Sequence, residues 1–237
     1  MELKDLTQTT KAVVAVKAVQ AALFRSVYLW MTFALAITGL VALYVADSPS
    51  LFAALVQERF AFLGLVLAEL ALVWYLSARI DRLSVTTATI MYIVYSMLNG
   101  VVLSFIFLLY TTASIATTFF VTAGTFGIMS LWGYVSKKDL TRIGSLCFMA
   151  LIGLILATVV NYFIGSAFMD MVISWVGVLV FVGLTAYDTQ KIKRLIQTEG
   201  YEVNDSTQKI ALMGALTLYL DFINLFLYLL RLMGDRK

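Results

Sequence analysis

Histidine is absent from this 237-residue chain, and cysteine and proline occur once each. Without histidine there is no Ser-His-Asp triad, no imidazole ligand for metal or haem, and no imidazole pH switch. Cys147 alone allows neither an intrachain disulfide nor a cysteine zinc site. One proline and 14 glycines exclude a Pro-rich disordered chain or a fibrous one. Charge is scarce too, at 13% of residues, against about 25% in soluble domains. What fills the chain is 62% hydrophobic residues, with a mean hydropathy of +0.93. A soluble domain of this size cannot hide so much apolar surface. The chain reads as an all-α integral membrane protein with the lipid bilayer as its main partner. Nothing in it suggests binding to nucleic acid.

A bilayer core of about 30 Å takes roughly 20 apolar residues as a helix. Seven runs qualify: Val27–Ala46, Phe60–Ala78, Ser84–Tyr110, Ile115–Val135, Ile143–Gly165, Met171–Tyr187 and Ile210–Leu230. They are too long for barrel strands and lack alternation. The chain therefore divides into a basic N-terminal segment, 1–25, and one seven-helix transmembrane domain, 26–237. The basic segment does not read as a signal peptide: Lys11, Lys17 and Gln20 interrupt it. Residues 11–24 read as an interfacial helix leading into the first span.

Lysine and arginine orient the spans, because positive loops stay in the cytoplasm. One side collects Lys4, Lys11, Lys17 and Arg25, then Arg79 and Arg82, then Lys137, Lys138 and Arg142, and finally Lys191, Lys193, Arg194 and Lys209. The other side has Arg59 and the tail residues Arg231, Arg236 and Lys237. Thirteen against four places the N-terminus inside and the C-terminus outside. The tail supplies three of the four dissenting charges, so a seventh segment that re-enters and exits inside is the alternative. Ala123, Gly124 and Gly127 read as a place where two helices approach closely. Trp30 and Trp132 read as interface anchors.

A charge near the bilayer centre costs several kcal/mol, so three acids need a reason. Glu69 lies mid-way along the second run, Asp188 closes the sixth, and Asp221 lies mid-way along the seventh. The nearest cations are Arg79, at the end of the second run, and Lys191, three residues after Asp188. Each acid also has a purely structural reading. Asp221 hydrogen-bonds a neighbour such as Asn224, Asp188 pairs with Lys191 at a helix end, and Glu69 is divided between the two readings. Asn99 and Asn161 read as interhelical hydrogen bonds. Two acids on consecutive helices suggest a coupled carboxylate pair that titrates as a unit. Its oxygens are also hard ligands suited to calcium.

At these two acids the sequence resembles a known family. Gly183-Leu-Thr-Ala-Tyr-Asp188-Thr-Gln-Lys191-Ile is similar to the sixth-span motif of the Bax inhibitor-1 family. Leu218-Tyr-Leu-Asp221-Phe-Ile-Asn224-Leu-Phe226 is similar to its last-span motif, with Arg231 following. The resemblance covers the whole chain. It implies a central C-terminal helix wrapped by six others. It also implies a pH-sensitive calcium leak governed by an aspartate pair, here Asp188 and Asp221, which are also the candidate calcium ligands. Calcium would be the transported ion, with no cofactor. Bacterial relatives carry an arginine that latches the first aspartate, for which Arg79 is the nearest match; Glu69 falls where an acid is expected on the ion path. The lack of a lysine-rich tail favours a bacterial member in the cytoplasmic membrane.

No enzyme is expected. An intramembrane aspartyl protease would need Gly-x-Gly-Asp where this chain has Leu-Tyr-Leu-Asp221. A retinal protein would need a lysine deep in the last run. Two rivals to the leak stand: a proton-coupled secondary transporter, and a regulatory protein that restrains other membrane-protein partners.

Overall fold

In lipid every backbone N–H and C=O must be satisfied within its own segment, which leaves helices as the form for these runs. The computed structural model describes residues 3–51 and 59–237, with side chains for 13–51 and 60–237. Lys4, Lys11 and the Arg59 side chain, all counted above, lie outside the described side chains. Seven helices are long and apolar enough to cross a membrane. They are α1 (Leu3–Ala46), α2 (Arg59–Arg79), α3 (Val85–Leu103), α4 (Thr112–Val135), α5 (Thr141–Ile164), α6 (Ala167–Glu199) and α7 (Asp205–Met233). The described residues contain no strand.

The ends follow local chemistry. Ser84, Thr111 and Ser166 cap α3, α4 and α6 through their side-chain oxygens. Asn204 and Thr207 form a reciprocal capping box at α7. Gly165, at φ +70°, closes α5 in the left-handed conformation that glycine adopts without strain. Two elements outrun the expectation. The interfacial helix over 11–24 and the first span are one rod of 44 residues, because no proline interrupts it before Pro49. α6 continues past Tyr187 through the charged stretch to Glu199.

α7 is the most buried helix and packs mainly on α1, α3, α4 and α6, while α2 packs on α3 and α5 on α6. The expected close approach at Gly124 and Gly127 is corrected. A Cβ at either would meet nothing within 4 Å. The buried face of α4 instead carries Thr118, Thr122, Phe126, Ser130 and Gly133. A Cβ on Gly133 would strike the Ala186 carbonyl oxygen of α6.

α7 is one continuous helix of 29 residues, with no break at which the seventh segment would turn back. The tail beyond it joins the connection between α3 and α4. Lys237 N–H donates to Leu109 O at 3.0 Å and Thr111 N–H to Asp235 O at 3.1 Å. Ser114 and Asp235 exchange bonds between the Ser114 hydroxyl and the Asp235 carboxylate and amide. The C-terminus therefore lies at the end of the bundle opposite the α2–α3, α4–α5 and α6–α7 connections.

Candidate functional site

The α6–α7 interface is the setting for two of the three acids. α6 buries a stripe that includes Leu184, Asp188, Ile192 and Ile196, and α7 is buried on most of its circumference. This packing carries Asp188 and Asp221 inward, to 8% and 5% exposure. Their carboxyl groups meet side by side. No N–H or hydroxyl among the described residues reaches the buried Oδ2 of Asp221. Two carboxylates in contact away from water need a proton between them or a cation beside them.

A cavity of about 710 Å³ opens onto the pair between α5, α6 and α7. The titratable groups lining it besides the two acids are Lys191, Tyr187 and Tyr228. Lys191 is exposed and lies one turn beyond Asp188, with its ammonium 6.0 Å from the Tyr187 ring centre. Asn224 also lines the cavity, but its amide N–H₂ donates to Leu220 O of its own helix at 2.8 Å. Two glycines shape the walls. A Cβ on Gly144 would strike the Tyr187 ring, and one on Gly177 would strike the Tyr228 ring.

Glu69 lies elsewhere, on the α2–α3 side. Asn99 donates its amide N–H₂ to the Glu69 carboxylate, and the Tyr95 hydroxyl also bonds it. The cluster continues to α7 through the rings of Tyr95 and Tyr219, 5.9 Å apart. Tyr219 hydroxyl and Thr38 hydroxyl are 2.8 Å apart. Thr38 spends its own proton on Ser96 O at 2.9 Å, so Tyr219 is the donor to Thr38. Glu69 is thus part of a network tying α1, α2, α3 and α7 together. Asn99 makes the interhelical hydrogen bond expected of it; the sequence did not pair it with Glu69 or single out Tyr95, although Tyr92, Tyr95, Ser96 and Asn99 form a polar stripe at helical spacing in an apolar run.

Arg79 is exposed at the end of α2, a helix whose main neighbour is α3, and the structure does not bring it to Asp188. The cation nearest the pair is Lys191. Asn161 joins α5 to α6: it donates to Asp170 Oδ1 at 2.7 Å and accepts from Ser166 N–H. At the other end of the bundle, Gln190 clips the α4–α5 connection to α6, donating to Lys138 O and accepting from Leu140 N–H. Beside it, Asp139 accepts from the Thr141 hydroxyl and amide and from Arg194. Those bonds, the Thr141 hydroxyl first, hold its carboxyl down at about 2.

Sequence comparison adds an independent line. The family model described as inhibitor of apoptosis-promoting Bax1 matches residues 20–237. The chain is 50% identical over 211 residues to the inner membrane protein YbhL of Escherichia coli, covering 89% of this chain and 90% of that one. It is 41% identical over 235 residues to the uncharacterized protein RP147 of Rickettsia prowazekii, covering 99% and 98%. An uncharacterized membrane protein of Streptococcus pyogenes is 40% identical over 185 residues, 78% of this chain and 79% of that one.

Proposed function

The chain belongs to the Bax inhibitor-1 family, and on that premise we propose that it is a pH-sensitive calcium leak channel of the bacterial cytoplasmic membrane, with its N-terminus inside. The observation that carries this reading is the contact of two buried carboxyls, Asp188 and Asp221, at the wall of an open cavity. While a proton is shared, the pair is a single charge and α6 can pack tightly on α7. When the proton leaves, the two carboxylates repel. Relief comes from helix separation or from a divalent cation drawn in to bridge them. Calcium prefers six to eight oxygens. Among the described residues no third acid joins the pair. Two carboxylates therefore make a weak, transient station for calcium, as conduction requires of an ion that must also leave. The Arg79 latch is not part of this reading; Lys191 is the cation placed to compete with calcium at the pair.

Linkage sets the sign of a test. If proton loss favours calcium uptake, bound calcium must favour proton loss. Calcium flux into liposomes by purified protein is expected to differ between pH 6 and pH 8 in the wild type. Asp188→Asn, Asp221→Asn and the double variant are expected to lose most of that difference. The effects should be non-additive, because the two acids act as one unit. Equal pH dependence in wild type and double variant would sink the gating role. Proton-driven uptake of a second solute would favour the transporter, and stoichiometric co-purification of a partner the regulator.

A further inference from the structure

The cavity between α5, α6 and α7 is polar at one end and apolar at the other, and all three helices agree on the direction. Along α5 its lining passes from Thr141 and Ser145 to Leu151 and Ile155. Along α6, read in reverse, it passes from Lys191 and Asp188 to Phe181. Along α7 it passes from Thr217, Asp221 and Asn224 to the ring of Tyr228. Phe181 and Tyr228 stack at 5.8 Å between ring centres and form the apolar end. Seven residues separate Asp221 from Tyr228, which is about 10 Å of helix. Thr141 begins a membrane-spanning helix, so the polar end faces a membrane surface and the apolar end points into the bilayer.

This polarity is that of a site for an amphiphile, and the charges select its head group. The polar end holds the paired carboxyls of Asp188 and Asp221, which both line the cavity beside Lys191, while the Oδ2 of Asp221, unpartnered among the described residues, is itself covered by protein. An ammonium brings three donors and a compensating charge to the pair. A phospholipid does not fit. With its chain in the apolar end, its phosphate would lie between chain and amine, against the carboxylates of Asp188 and Asp221. We propose that the cavity binds a hydrophobic monoamine, with the ammonium on Asp221 and Asp188 and an alkyl chain running toward Phe181 and Tyr228. Its volume lies within the range of roughly 300–1,000 Å³ for small-ligand sites. The site adjoins the proposed calcium station, so an amine bound there would block it. The binding itself does not depend on the channel reading.

The test is calorimetry with n-octylamine on the full chain in lipid nanodiscs, without calcium and with a chelator present, against protein-free nanodiscs. Saturable binding is expected, at least tenfold tighter than for n-octanol, which has the same chain and no charge. Asp221→Asn should weaken octylamine at least tenfold and leave octanol unchanged. Leu151→Trp, which fills the apolar half and leaves both acids in place, should weaken it by a similar factor. Equal affinity for amine and alcohol would overturn the proposal, since the cavity would then be only an apolar groove. So would octylamine binding untouched by Asp221→Asn or by Leu151→Trp. A protein that binds octylamine but shows no pH-dependent calcium flux would refute the channel reading and uphold this one.

Discussion

Two buried acidic regions flank α7 at nearly the same level, and they are built on opposite plans. Tyr219, where the Glu69 network reaches α7, and Asp221 are two residues apart. That is about 3 Å along the helix and about 200° around it. Glu69 receives an amide and a phenol, and its network joins four helices. Asp221 receives no N–H or hydroxyl on Oδ2, meets another acid, and faces a cavity. A buried carboxylate that receives donors from a neighbouring helix ties helices together, although Asn99 Oδ1 in the same network has no partner among the described residues. A carboxylate left with an acid for a neighbour stays open to a proton or a cation. Burial alone does not distinguish the two acids; the donors around them do.

That contrast can be broken first by flux. Asp221→Asn is expected to abolish most of the difference in calcium flux between pH 6 and pH 8, whereas Glu69→Gln keeps it, because the amide can still bond Tyr95. A Glu69→Gln protein that loses pH sensitivity to the same degree would place the sensor on the α2–α3 side and end the distinction.

Stability should rank the two acids the other way. Glu69→Ala strands the Asn99 and Tyr95 donors and is expected to cost about 2 kcal/mol. Asp221→Asn strands nothing, and its unfolding midpoint in detergent should move by much less. Equal losses in the two variants would mean that the pair is structural as well.

A smaller effect sharpens the reach of the Glu69 network. Tyr219→Phe removes the hydroxyl that donates to Thr38 while keeping the ring contacts with Tyr92 and Tyr95. Membrane interhelical hydrogen bonds average about 0.6 kcal/mol, and a loss of that order is expected in thermal unfolding. A loss several times larger would show that the network acts as one unit.

The smallest effect lies outside the bilayer. Asp139 is held at about 2 by Thr141 and Arg194. Its folded form therefore binds a proton less readily than the unfolded chain does. Its contribution is present above the ordinary carboxylate range and is lost as pH falls from about 4 toward 2. The group is fully exposed, so the effect is slight. Asp139→Asn should flatten that part of the stability profile and leave flux untouched.

Much of the molecule was legible in residue order, for one physical reason. Lipid penalises a charge or an open backbone group wherever it occurs, whatever its neighbours. Seven apolar runs thus became seven helices, and Glu69, Asp188 and Asp221 stood out before any contact was known. Pairing was not legible in the same way. Arg79 was the nearest match to the family's latching arginine, yet α2 packs on α3 and the cation near the pair is Lys191. Gly124 and Gly127 had the spacing of a close contact but look away from the core, and the contact falls at Gly133.

The sequence by itself determined the solvent this protein lives in, the number of its crossings, and the acids that must be answered for. Only the tertiary structure decided which acid is satisfied and which is left open. It also decided that the tail closes on the α3–α4 connection, and that three helices grade together from polar to apolar around one cavity. Hydropathy is summed along the chain, residue by residue. A hydrogen bond or a cavity wall depends on the rotation of one helix against another, and that is set by packing across the whole bundle.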